Sequence, residues 1–186
     1  MELTLIRHLP TRWNELGVLQ GSKDIPILEV NDTNKLAIDE NKQKLKQKYS
    51  LVLTSTLIRT QQTAKAYGYE DFKLEPLLNE LNFGEYEGKE KKLLIDAHSS
   101  DWFSQPRKLE LGERLVDLEN RMLTFIKKYK QYESILVFGH GSWIRACLSH
   151  YRYGTINKMN QFEIKNNQLL TIEVREEEFE IERYHL

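Results

Sequence analysis

Two arginines and two histidines stand at comparable places along this chain. Arg7-His8 follows the apolar run Leu3 to Ile6, Arg59 comes shortly after Ser50 to Leu53, and His140-Gly141 closes Ile135 to Phe138. Arginine offers a planar fork of N–H donors that matches phosphate oxygens, while histidine serves as nucleophile or donor. Together they ask for a phosphate. Singly, each has an ordinary reading: a surface pair, a solvated charge on a helix, a turn residue beside glycines. Three similar junctions, each bringing a phosphate-compatible group, make coincidence the weaker account.

The elements that must position these groups are legible from their patterns. The three apolar runs are short and do not alternate, as in strands buried on both faces. Thr54-Ser55-Thr56 are good N-cap types and predict a helix from Leu57 to Tyr67 with Gly68 as its stop. Leu115, Leu118, Met122, Phe125, Ile126 and Tyr129 share one face of a predicted helix from Glu113 to Tyr129. Lys35 to Lys48 reads as a helix with a thin apolar face, and Gly141-Ser142 opens another that carries Trp143, Ile144, Ala146, Cys147 and Leu148. Leu169 to Val174 and Phe179 to Tyr184 read as a hairpin. Strands alternating with helices predict an α/β fold with its sheet covered on both faces, and ligands in such folds bind beyond the strands' carboxyl ends.

The 186 residues include 27 Lys plus Arg, 28 Asp plus Glu and one cysteine, for a net charge of −1. A lone Cys147 excludes an internal disulfide, and no carboxylate pair or cysteine cluster has metal-ligand spacing, so no metal and no cofactor is implied. The neutral balance gives no nucleic-acid footprint. With no stretch near the ~20 apolar residues that span a bilayer, no membrane role is read, and the expected location is cytoplasmic. No linker or repeat divides the chain, so 1–186 reads as one domain; oligomeric state has no sequence signal. His98, His150 and His185 share no spacing and read as ordinary surface or core residues.

Four segments, in order, carry a family resemblance. They are Ile6-Arg7-His8-Leu9-Pro10-Thr11-Arg12-Trp13-Asn14 with Gln20-Gly21, then Thr54-Ser55-Thr56-Leu57-Ile58-Arg59, then Glu80-Leu81-Asn82-Phe83-Gly84-Glu85-Tyr86-Glu87-Gly88, and finally Val137-Phe138-Gly139-His140-Gly141-Ser142. The set resembles the histidine phosphatase superfamily, also named for cofactor-dependent phosphoglycerate mutase. The resemblance implies a three-layer α/β/α sandwich with a mainly parallel sheet. It implies His8 as a nucleophile forming a phosphohistidine, with Arg7, Arg59 and His140 around the phosphoryl oxygens and Glu80 as general acid. Asn14, Gln20 and the Gly141 amide would bind substrate. Glu85 and Glu87 are rivals for the acid, although their turn is mostly structural in relatives.

Three departures set expectations of their own. Leu9-Pro10 replaces the usual Gly-Glu, which predicts a narrowed or reshaped pocket. Gly112-Glu113-Arg114 replaces Gly-Glu-Ser and predicts added positive charge near the site. Asn31-Asp32-Thr33-Asn34 reads only as a helix start. Residues 88–112 form a short cap, either a lid with Lys89, Lys91, Lys92, Arg107 and Lys108 around a Trp102-Phe103 wall, or a solvated basic helix with core aromatics. The expected function is hydrolysis of a small phosphorylated metabolite without metal. The alternatives are phosphoglycerate mutase, disfavoured by the short cap, and a phospholigand-binding domain without turnover. Among compact phosphatases, no residue singles out α-ribazole phosphate.

Overall fold

The structure, a computed structural model, describes residues 1–175. Five strands, β1 (Glu2–Arg7), β2 (Leu51–Thr54), β3 (Lys73–Leu74), β4 (Ser134–Gly139) and β5 (Leu169–Glu173), form one sheet in the order β3-β2-β4-β1-β5. All pairings are parallel except that of β5 with β1. β5 is thus the first arm of the expected hairpin, paired with β1; the second arm, 179–184, lies outside the described residues.

Side chains alternate across the central strands and feed two cores. Leu3 and Leu5 of β1, with Ile135 and Val137 of β4, point into the larger core. Ile6, Leu136 and Phe138 point into the smaller one. The larger core is covered by α4 (Lys91–Ser104), α5 (Leu115–Tyr129) and α6 (Gly141–Tyr153), the smaller by α2 (Asp32–Lys42) and α3 (Ile58–Ala66); α1 (Arg12–Glu15) is a single turn beside β1's end. The expected face of α5 is the buried one, and each such apolar side chain contributes about 1.5–3 kcal/mol on burial. Cys147 lies in this core, where burial pushes its thiol up to about 12. The result is a three-layer α/β/α architecture.

Two helix readings need correction. α2 ends at Lys42 rather than Lys48, because the chain turns there and carries Tyr49 into the smaller core, where its hydroxyl bonds Thr4. Asn31 caps its start as expected, accepting from the Asn34 amide at 2.9 Å. The start of α3 is not capped by the threonines. Instead Ser55 Oγ accepts from the Leu57 amide, and Asp24 reaches across 34 residues to accept from the Ile58 amide at 2.6 Å.

Buried Glu75 accepts from Lys128 Nζ and Tyr129 Oη, each at 2.6 Å, and from the Leu77 amide at 3.0 Å. Burial pushes this carboxyl up, but those donors outweigh it and its pKa is lowered. A carboxyl lowered on folding stabilises fully above its unfolded pKa and loses that contribution as pH falls through the folded value. Glu75→Gln is therefore expected to be less stable at pH 7, by about 1–3 kcal/mol for a hydrogen bond to a charge. The gap from wild type should narrow in thermal melts below about pH 4. A gap independent of pH contradicts the assignment.

Candidate active site

Strand register builds the site. Arg7 pairs with Gly139 and Thr54 with Phe138, so the residues after the three strands, His8, His140 and Ser55, emerge side by side at one sheet edge. The His8 amide bonds Gly139 O at 3.0 Å, and the His8 and His140 rings lie 5.4 Å apart. Beyond this edge opens a cavity of about 300 Å³ whose lining includes Arg7, His8, Arg59, Glu80 and Trp102.

His8 is 2% exposed, and its Nδ1 lies 2.7 Å from Leu9 O. A carbonyl only accepts, so Nδ1 carries the proton and Nε2 keeps its lone pair. Burial, aided by the charges of Arg7 and Arg59, holds the ring well below the usual histidine range. It is a neutral imidazole with one free nitrogen. Arg7 donates through Nη1 to Ile164 O at 2.6 Å, and its Nε is buried with no protein partner.

Arg59 is fully buried and held on three sides, by His140 Nδ1 (3.2 Å), Lys23 O (2.7 Å) and Gly21 O (2.8 Å). Burial lowers its pKa to about 10, which leaves it cationic at neutral pH. His140 stands behind Arg59 rather than along the cavity lining, with Nε2 bonded to Ser55 Oγ at 2.7 Å. Glu80 accepts from the Ser142 amide at 3.1 Å, from Trp143 at 3.3 Å and from Leu81 at 2.9 Å. It therefore faces the first turn of α6, where the helix dipole favours negative charge.

The remaining expected residues also reach the cavity. Asn14 lines it while its Oδ1 caps α1 at the Thr11 amide, 3.0 Å away. Gln20 lines it with Oε1 buried and without a protein partner. Gly141 lies between two guanidinium groups: a Cβ there would meet Arg7 Nε at 3.4 Å and Arg145 Nη1 at 3.7 Å, ordinary contact distances.

Sequence reading missed Arg145, Ser142 and Asn166, which line the same cavity. Arg145 Nη2 bonds Ser142 Oγ at 3.1 Å, and the three-residue spacing on α6 was the available signal. Burial lowers Arg145 to about 10. Asn166 Nδ2 donates to His8 O at 2.9 Å from a turn distant in sequence, which left no signal.

The cap readings divide. Lys91 and Trp102 line the cavity, whereas Phe103 is 46% exposed and forms no wall. Lys89 and Lys92 pair at the surface with Glu85 and Asp96, and Arg107 pairs with buried Glu119. Glu87 accepts from Ser22 and from the Phe83 amide, away from the lining. Leu9 does not narrow the pocket: it is 2% exposed and packs into the smaller core, outside the lining. Arg114 adds no charge to the site, because it pairs with Asp117 at the surface through two bonds.

Residues 3–186 match the model of the histidine phosphatase superfamily (branch 1). Phosphoserine phosphatase 1 of Hydrogenobacter thermophilus is 24% identical over 186 residues, covering 95% of this chain and 88% of its own. A second protein of that organism, named for the same activity, is 28% identical over 156 residues, covering 78% and 76%. Among solved structures, the α-ribazole phosphatase of Shigella flexneri superposes with a TM-score of 0.75 at 24% identity, covering 95% and 92%. A phosphoserine phosphatase of Entamoeba histolytica in complex with 3-phosphoglyceric acid gives 0.75 at 23%, covering 91% and 89%. The chain belongs to the histidine phosphatase superfamily. It is a phosphatase.

Two outcomes follow from the placements of His8 and Leu9. Because burial holds the His8 ring well below the usual histidine range, it stays unprotonated in mild acid, and kcat/KM should show no acid limb from His8 near pH 6.5. An acid limb whose midpoint matches the His8 titration read by ring NMR in the wild type contradicts the assignment. Leu9→Ala should lower stability by about 2–5 kcal/mol and leave kcat/KM of a folded sample near wild type. An activity loss of about tenfold without unfolding would contradict the outward placement of Leu9.

Proposed function

We propose that the chain hydrolyses a small phosphomonoester through a phosphohistidine on His8, with no metal required. The observation that carries the reading is the neutral His8 ring, one nitrogen tied to Leu9 O and the other free, beside a cavity lined by Arg7, Arg59 and Arg145. His8 Nε2 attacks phosphorus; the N–P bond forms as the ester P–O bond breaks, and Glu80 gives a proton to the leaving oxygen. Glu80 then takes a proton from the water that attacks the phosphohistidine, releasing phosphate and restoring His8. The arginines stabilise charge building on the phosphoryl oxygens, and a preorganised donor of this kind is worth about 2.7–4 kcal/mol. These fixed cations do the electrostatic work a metal does elsewhere.

Charge and size support a narrower substrate class. Among the described residues, Arg7, Arg59, Lys91 and Arg145 line the cavity, four basic side chains against the single acidic one of Glu80. Burial, then Arg145 and Arg7, lower the Lys91 pKa, a sign that these cations crowd one another. A phosphomonoester brings roughly two negative charges. The remainder suits a carboxylate on the same molecule. A cavity of about 300 Å³ is at the small end for ligand sites and suits a short-chain phosphate with Trp102 and Phe83 beside it. The phosphoserine and 3-phosphoglyceric acid bound in the Entamoeba structures each carry such a carboxylate.

Purified protein in chelator should hydrolyse p-nitrophenyl phosphate, and His8→Ala should abolish this. Glu80→Gln should slow esters with poor leaving groups by about 10²–10⁴ and p-nitrophenyl phosphate less; equal slowing removes Glu80 as the acid. Within the panel, 3-phosphoglycerate should be turned over better than glycerol 3-phosphate, which lacks the carboxylate, and the reverse order removes the narrower class. Conversion of 3-phosphoglycerate to 2-phosphoglycerate without phosphate release, with the bisphosphate present, would replace hydrolysis by the mutase reading. No turnover of any ester would leave a binding domain.

A further inference from the structure

We propose that Ser55, which does not line the cavity, is a positioning residue that holds His140 as its Nε2–H tautomer and thereby sets the Arg59 guanidinium at the site. The argument is one of donors and acceptors. Arg59 Nε can only donate, and it points at His140 Nδ1 from 3.2 Å, so Nδ1 is unprotonated and accepts. Burial, followed by the positive charges of Arg59, Arg121 and Arg7, keeps the His140 ring neutral. Its single proton therefore sits on Nε2 and is donated to Ser55 Oγ at 2.7 Å.

The other end of the chain has a direction as well. The Leu57 amide donates to Ser55 Oγ at 3.1 Å, which occupies the second lone pair. The Ser55 hydrogen then has Thr60 Oγ1, at 2.9 Å, as its acceptor. Thr60 in turn donates to Leu57 O at 2.9 Å. Two donors that cannot reverse, a guanidinium and a backbone amide, thus orient every hydroxyl between them. Ser55, Thr60, Arg59 and His140 are all 0% exposed, so bulk water does not stand in for a missing partner.

The consequence for Arg59 is direct. The opposite tautomer would place an N–H against the Arg59 Nε–H, costing the guanidinium one of its three anchors while Lys23 O and Gly21 O keep the other two. The guanidinium would tilt where it meets the cavity. Ser55, like His8, is the residue after a strand that runs parallel beside β4, its strand ending opposite Phe138 and that of His8 opposite Gly139.

The test reads the tautomer in the resting protein by ring-nitrogen NMR of 15N-histidine-labelled samples, with the His140 signals assigned by their loss in His140→Asn. Wild type should show a protonated Nε2 and an unprotonated Nδ1. Ser55→Ala removes the acceptor of Nε2–H. Thr60→Val keeps the shape but removes the acceptor of the Ser55 hydroxyl, which then turns toward Nε2 and drives the proton to Nδ1. In both, the wild-type pattern should be lost and kcat for p-nitrophenyl phosphate should fall roughly ten- to a hundredfold, as for groups that orient catalytic side chains. A Nδ1–H or doubly protonated ring in wild type overturns the proposal. So does a folded variant that keeps the wild-type tautomer, or one that loses it with kcat intact. If Ser55→Ala fails to fold, Thr60→Val and the wild-type spectrum decide. The kinetic arm alone rests on the phosphatase reading: a wild type without turnover refutes that reading, and the spectra still decide the tautomer.

Discussion

The site depends on the in-step register of three adjacent parallel strands. Because Arg7 sits opposite Gly139 and Thr54 opposite Phe138, one step past each strand end delivers His8, His140 and Ser55 to neighbouring positions. A slip of one residue in any pairing would turn that strand's buried side chains to the opposite face and send its functional residue away from the others. The two cores guard against that slip, since Leu3 and Leu5 belong to one and Ile6 to the other. Packing energy on both sheet faces is therefore also what fixes the catalytic geometry.

Burying cations at such an edge is costly unless each has oxygen or nitrogen partners. Arg59 meets this with two carbonyls from the Gly21–Lys23 loop and an imidazole, none of them charged, while the carboxylates of Glu80, Asp24 and Glu87 favour its charge through space. Arg7 and Arg145 are less fully met, each with a buried Nε that has no protein partner. The unfolded chain has no such crowding, so the stability lost in assembling the cations is available to bind an anion. The histidines respond in the opposite way: the same cations and the same burial strip them of their charge. One arrangement thus yields permanent cations and neutral imidazoles together.

What was legible in sequence was what a strand end announces. Arg7, His8, His140 and Gly141 touch apolar runs, and Arg59 follows one within a turn of helix, so a rule about sheet edges found them all. Arg145 and Lys91 sit on helices whose other residues pack or face water, and their convergence is a property of the tertiary fold. Leu9 misled for a related reason. A glycine-to-leucine change was read as added bulk toward the ligand, but the chain after β1 points that side chain into the smaller core, and what faces the site is its carbonyl on His8 Nδ1. The cap of α3 failed in part as a local reading: Ser55 takes the Leu57 amide, but the Ile58 amide goes to Asp24, far off in sequence, and to neither threonine.

Glu80 poses the harder structural problem, because it lies on irregular chain between short turns rather than at a strand end. Its placement is held from behind by Arg121 on α5, which donates to Leu77 O at 2.8 Å and Asn79 O at 2.6 Å and pairs with Glu113 at 2.7 Å. Glu113 also accepts from the Asn82 amide, and Gly112 allows Asn82 Oδ1 to approach so closely that any Cβ would collide with it. The loop carrying Glu80 is thus clamped on both sides, by Arg121 of α5 and by Gly112 and Glu113 of the segment that leads into α5. This explains why arginine at 114 is accommodated: the contacts that hold the Glu80 loop run through residues 112, 113 and 121, and the Arg114 side chain pairs with Asp117 at the surface. A rigid helix lends its order to a loop, and the loop needs no regular structure of its own to aim a carboxylate.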